Sequence, residues 1–312
     1  MVLTEEQRKT CRSKIEPWRD VMTRDPVDEA PEVIFSIPLI SKEKANNWSK
    51  VCSNLTKTVE SLRRQTSPNW KAVICCQSKP DGIEFDDKVT FLPFTRMLER
   101  TDKAPKRKAI FEFCRDSFSG DKYLFYLDAD DLAHPTLVEY ILDTRDPSGY
   151  LVDRGFLYDT VAGKLAPLYR PTPDVLQKQK KKIRWTRQLI RLRNIGRRLT
   201  GREAIEYPAR LARMRSFDSK CGSCVAWRYR CGGNRENSPD VPEFSHSFVR
   251  PASEEGLVNL HKISFEAMIY VVGHGENLEE LVGGVQRKLE YADEFGLPER
   301  EAKKVLHTFG LL

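Results

Sequence analysis

A chain of 312 residues with 40% apolar and 10% aromatic side chains carries enough nonpolar surface for a sizeable core, which excludes a disordered chain or a disulfide-stapled miniprotein. The first twenty residues are charged from position 5 onward and no later window is apolar enough to span a bilayer, so the expectation is a soluble, cytoplasmic protein, free to rest peripherally on the inner membrane surface. The net charge of +7 is concentrated, because residues 178–215 hold fourteen Lys and Arg against Glu203 and Glu206, a local +12 that leaves −5 for the remainder.

Residues 1–30 read as a polar, partly helical extension closed by Pro31. Val33 to Pro38 is a short β-branched and aromatic run of the kind found in a central strand buried on both faces. Val51, Leu55, Val59 and Leu62 then recur at helical spacing, predicting a helix from about Asn47 to Gln65. Trp70 to Cys76 and Val89 to Phe94 are further strands around the turn Pro80-Asp81-Gly82. Pro105 suits the first position of a helix carrying Ala109, Ile110, Phe113 and Cys114. Tyr123 to Leu127 runs straight into Asp128-Ala129-Asp130-Asp131, and His134-Pro135 opens a helix with Leu137, Val138 and Ile141 on its core face. Strands alternating with helices in this way predict an open α/β sheet whose ligands bind at the carboxyl ends of the strands.

Beyond Gly149 the pattern is that of a hairpin around Ala162-Gly163, then the basic segment, then the small and apolar run 216–231. A strand from Ala267 to Val272 leads into Gly273-His274-Gly275. One helix with Leu278, Leu281, Val282, Val285 and Leu289, and a short one after Pro298, complete the chain. On a helical wheel started at Ile183, Trp185, Leu189, Leu192, Ile195 and Leu199 fall within an arc of about 120° to 240°, with Arg184, Arg187, Arg191, Arg193, Arg197 and Arg198 outside it. Such a helix serves either as contact with an anionic membrane through 178–215 or as a solvated cover packed on the sheet. Nucleic acid is not an expected partner, since the basic charge is confined to one segment without a recognition signature.

In an extended turn, positions i and i+2 face the same way, so Asp128 and Asp130 are expected to present two hard oxygen donors suited to Mg²⁺ or Mn²⁺. A solvated acidic loop would follow a polar stretch, whereas this one follows a buried strand. An EF-hand fails at Leu132, Ala133 and Pro135. Cys221, Cys224 and Cys231 make a CxxC with a third thiol, but no second CxxC or HxxxH completes a zinc site. Adjacent Cys75 and Cys76 in a strand point to free thiols in a reducing compartment.

The run from Val33 to Leu142, with Ser36-Ile37-Pro38, SLRRQTSPNWKAVI and YLFYLDADDLAHPTLVEYI, resembles the nucleotide-binding half of family 2-like glycosyltransferases of the GT-A fold. The resemblance implies an α/β mixed sheet flanked by helices. It divides the chain into an extension 1–30, a nucleotide-sugar half 31–145, an acceptor half 146–285 with a basic helical insertion 174–215, and a helical tail 286–312. It implies Ser36 and Pro38 beside the nucleotide, Asp128 on ribose and metal, Asp130 on the metal, and Lys106, Arg107 or Lys108 approaching the nucleotide. Relatives carry an acid after the second strand, where Gln77 and Ser78 stand here and Asp81 follows, so UDP against GDP stays open. The glycine-rich loop near the donor sugar falls on Gly222 and Ser223. The late histidine that serves as a further metal ligand falls on His274, better placed than His246 or His261. The base of an inverting transfer falls on Asp240 or Glu243, with Glu254 and Glu255 next. The implied activity is transfer from a UDP- or GDP-linked sugar to a hydroxyl of a glycan or lipid-linked acceptor. A sugar nucleotidyltransferase is the rival enzyme, although Pro38-Leu39-Ile40-Ser41 lacks the glycine its phosphate loop needs; a non-catalytic module on the same fold is the other.

Overall fold

The computed structural model describes residues 3–28, 30–98, 101–170, 177, 185, 188–197, 200, 214–233, 239–242, 246–277 and 284–312. Helix α1 (Glu5–Arg24) starts at Thr4, whose hydroxyl accepts from Gln7 N–H while the Gln7 side chain accepts from Thr4 N–H. Its buried residues Cys11, Ile15, Trp18 and Met22 follow helical spacing. Trp18 packs edge-on against Trp227 at 5.0 Å and donates its indole N–H to the Arg228 carbonyl at 2.7 Å. The segment expected as a polar extension is therefore part of the core.

The strands β1 (Glu32–Pro38), β2 (Trp70–Cys76), β3 (Val89–Pro93) and β4 (Gly120–Tyr126) form a parallel block, with α2 (Trp48–Arg63) and α3 (Lys103–Ser117) among the crossovers. Helix α3 begins two residues before Pro105, at Lys103. Side chains alternate across β1, so Val33, Phe35 and Ile37 meet α2 and α4 (Leu137–Thr144), while Ile34 meets α1 and α3. Burial of both faces explains why the run is continuously apolar.

Antiparallel β9 (Val225–Cys231) pairs with β4 from Gly120↔Cys231 to Phe125↔Ala226, and then with β6 (Tyr150–Leu151), giving the order β10-β6-β9-β4-β1-β2-β3 with β10 at His261–Lys262. A second sheet, β5-β11-β7-β8, comprises Leu132–Ala133, Met268–Val272, Gly155–Asp159 and Lys164–Leu168. The hairpin around Ala162-Gly163 and the strand to Val272 thus build a separate sheet, not an extension of the first. The helix Glu299–Phe309 covers it through Ala302, Leu306 and Phe309. Of the expected penultimate helix, Gln286–Phe295 is observed, with Leu289 partly buried against the core; Leu278, Leu281 and Val282 lie outside the described residues. No described helix is long and apolar enough to cross a membrane.

Candidate functional site

The acidic turn leaves the carboxyl end of β4, next to the ends of β1 and β2, because Leu127 N–H continues the ladder to the Ser36 carbonyl at 3.1 Å. Asp128 and Asp130 diverge there. Asp128 Oδ1 receives Lys103 Nζ at 2.6 Å and Arg107 Nη2 at 3.5 Å, and Asp128 is 21% exposed. Lys103 and Arg107 lie four residues apart at the start of α3 and so share one helix face. Arg107 also lies over the Tyr126 ring at 4.1 Å, which fixes its guanidinium.

Asp130 Oδ2 turns toward the second sheet, 2.9 Å from His274 Nε2 and 3.3 Å from Asn277 Nδ2. His274 Nδ1 accepts from Glu276 N–H at 3.2 Å, so the ring proton sits on Nε2 and points at Asp130. Gly273 and Gly275, at φ +84° and +87°, supply the left-handed backbone that holds His274 between them. Behind Asn277 stand Tyr270, 3.5 Å from its side-chain oxygen, and buried Lys288, which donates to the Tyr270 hydroxyl.

The third carboxyl, Asp131, is fully buried and locks the site together. Its Oδ2 accepts from Ser223 Oγ at 2.5 Å and Cys221 Sγ at 2.9 Å, and its Oδ1 accepts from Val271 N–H at 3.2 Å. Burial, and then the charges of Asp130 and Asp128, push its carboxyl well above the ordinary range. Ser223 Oγ in turn accepts from Asp128 N–H at 2.8 Å, which fastens the loop 221–224 to the turn. A side chain at Gly222 would bring its Cβ to 2.9 Å from Asp128 Oδ2 and 3.3 Å from Lys103 Nζ, so it would displace the tips of these two side chains.

The other residues singled out from sequence fall in different places. Lys106 is wholly buried, donating to the Leu39 carbonyl at 2.6 Å and to Asp102 at 2.8 Å, and so clamps the strand ends instead of reaching a ligand. Gln77 donates to the same Asp102 and to the Arg96 carbonyl. Burial pushes the Asp102 carboxyl up, but the bonds from Lys106 and Gln77 more than offset this and hold it below its usual value. Ser36 is buried inside β1, Pro38 is half-buried at its end, and Asp81 is exposed beside Cys52 of α2.

Asp240 is exposed and its charge is felt by Arg115 and Tyr229. Arg115 lies twelve residues along α3 from Lys103, about 18 Å at 1.5 Å per residue, so Asp240 is not brought to the acidic turn. Glu243 lies outside the described residues. Glu254 pairs with Arg170 at 3.2 Å, Glu255 with Arg8 at 2.6 Å, and His261 with Tyr140 at 2.9 Å. Cys221 and Cys224 are buried thiols that burial pushes well above their ordinary range, and Cys231 ends β9 at the far edge, so the three do not gather. Among the described residues no three His, Cys, Asp or Glu side chains form a ready metal cage.

Sequence reading missed Lys103, Asn277, Asp131 and Asp218. The spacing of Lys103 from Arg107 was the available signal for the first. Asp218, in the 3-10 turn Phe217–Ser219, is completely buried, with Arg250 Nε 3.7 Å away. Burial raises its carboxyl above the ordinary range, against the opposing influence of Ser216 and Arg250. It lies near Asp153, which follows β6 at the same edge as Asp128, two strands or about 10 Å across. The Cys224 thiol feels the charges of Asp218, Arg107, Asp128 and Lys103 together.

No protein-family model matches the chain, and no curated protein matches it.

Proposed function

We propose that this edge binds the diphosphate of a nucleotide-sugar, and that the protein is a metal-dependent glycosyltransferase of GT-A architecture acting on a hydroxyl of a glycan or lipid-linked acceptor. The observation that carries the reading is the convergence on one turn of three separate pieces of chain: Lys103 and Arg107 on Asp128, Gly222 against Asp128, and His274 on Asp130. Cations at one aspartate and a carboxylate–imidazole pair at the next supply both means of holding a diphosphate.

The donor set fits a Mn²⁺ or Mg²⁺ ion. Asp130 Oδ2 and His274 Nε2, hydrogen-bonded at 2.9 Å, would both turn to the ion, with the ring proton moving from Nε2 to Nδ1 and the Glu276 N–H contact released. Two protein ligands suffice where phosphates and water complete the shell. Such an ion, when bound, offsets the charge that develops on the departing diphosphate. Lys103 and Arg107 add two fixed positive charges to the same leaving group, and Gly222 lets backbone lie close beside it.

In an inverting transfer the acceptor oxygen bonds to the anomeric carbon as the carbon–oxygen bond to the diphosphate breaks. The electron pair leaves with the diphosphate, and a carboxylate takes the hydroxyl proton. Asp218, completely buried with its carboxyl raised by burial, has no open face to an acceptor, and Asp240 lies away from the turn, so the reading rests on the leaving-group side.

A panel of UDP- and GDP-sugars incubated with the protein and Mn²⁺ tests the reading. Release of free sugar from one donor is expected, with Lys103→Ala lowering its rate by about 10²- to 10³-fold. No turnover of any donor, together with retained nucleotide binding, would leave a non-catalytic module. Turnover unaffected by chelation would move charge compensation onto Lys103 and Arg107 alone.

A further inference from the structure

The helical run 188–197, with Trp185 just before it, carries the largest group of exposed apolar side chains in the described chain: Trp185 is 70% exposed, Leu189 55%, Leu192 67% and Ile195 54%. The half-buried positions of the same run are Ile190, Asn194 and Arg197. At 100° per residue these three centre about 160° away from the apolar stripe, so the helix turns its mixed edge toward the protein and its apolar face outward. A cover packed on the sheet would do the reverse. Exposed Arg191 and Arg193 flank the stripe on either side, about 100° from Leu192.

We propose that this face docks on an anionic lipid bilayer, lying in the plane of the interface. An outward apolar stripe buries among acyl chains near the headgroups while flanking arginines extend their stems upward to meet lipid phosphates. Charge complementarity selects this occupant. Fourteen basic residues against two acidic ones across 178–215 match a surface of anionic headgroups, whereas a second copy of the chain on the same face would set that positive charge against itself. Nucleic acid would satisfy the arginines but leave the tryptophan and leucines in water. The inference is independent of the activity proposed above.

Co-sedimentation of the full chain with vesicles tests it, comparing phosphatidylcholine alone with phosphatidylcholine mixed with phosphatidylglycerol. Binding to the mixed vesicles is expected, weakened by raised salt, with little binding to the neutral ones. Leu189→Glu combined with Leu192→Glu should lower the apparent affinity by about tenfold or more. Both positions are exposed, so the circular dichroism spectrum and melting temperature should stay those of the parent. A blue shift of tryptophan emission on vesicle addition should disappear in Trp185→Phe. Three results would overturn the proposal: no binding to anionic vesicles, binding that the double variant leaves unchanged, or a dimer by light scattering that the double variant splits. Association with duplex DNA in place of vesicles, at physiological salt, would overturn it equally.

Discussion

Two ion clusters sit at opposite ends of β4, and they are built differently. At the amino end Asp121 and Arg228 are both fully buried, 2.7 Å apart, and Arg230 adds a contact at 3.1 Å. Arg228 also donates to the carbonyls of Asp25, Pro26 and Met22, and Asp121 accepts from Asp28 N–H, so the cluster ties α1 and its linker to the sheet. At the carboxyl end Asp128 has two cations as well, yet it is 21% exposed and Lys103 is 35% exposed. The same chemistry fastens structure where its hydrogen bonds go to backbone and water is excluded. At the carboxyl end the cations are held by their own helix and stand partly open to water, which under the proposed function lets a dianionic ligand compete for them.

That contrast is open to direct attack. Arg228→Ala removes one of the two cations on a buried carboxylate and the donor to three carbonyls, and should lower unfolding free energy by about 3 kcal/mol in urea titrations while leaving nucleotide affinity unchanged in the folded fraction. Lys103→Ala should do the opposite: nucleotide diphosphate affinity falls about 10- to 100-fold by calorimetry, and stability moves by less than about 1 kcal/mol. A stability loss without an affinity loss would make the carboxyl-end cluster another fastening.

The smallest effect is in acid. Burial raises the Asp121 carboxyl, but the bonds from Arg230 and Arg228 outweigh it, and the group sits below its ordinary value. A depressed carboxyl contributes stability in full above its unfolded value, near about 3.9, and loses it as pH falls through the folded one. The urea midpoint should therefore drop between mildly and strongly acid solution, and Asp121→Asn should flatten that drop.

The parallel block was legible because each strand is buried on both faces and so writes a continuous apolar run, as Val33 to Pro38 and Trp70 to Cys76 do. The acidic turn was legible because it interrupts such a run at its end. Strand β9 was not, since its pairing with β4 joins residues about a hundred apart, and no local period marks an antiparallel insertion. The hairpin and the strand ending at Val272 were legible, but for the same reason the pairing of β7 with β11 that joins them in a second sheet was not. Within Lys103, Lys106, Arg107 and Lys108, composition alone could not say that Lys106 turns inward, because its burial depends on Leu39 and Asp102 from elsewhere. The stripe of Trp185, Leu189 and Leu192 gave the helix its apolar side but not the direction that side faces, which is a tertiary property.

In the proposed function Asp130 and His274 act as one grip on a cation and, through it, a diphosphate. Calorimetric titration of UDP and GDP into the protein, with Mn²⁺ and with a chelator, measures that grip. One nucleotide is expected to bind tightly only with Mn²⁺, and Asp130→Ala to bring its affinity down to the chelated level. Equal affinity in the variant and the parent, at saturating Mn²⁺, would contradict the claim.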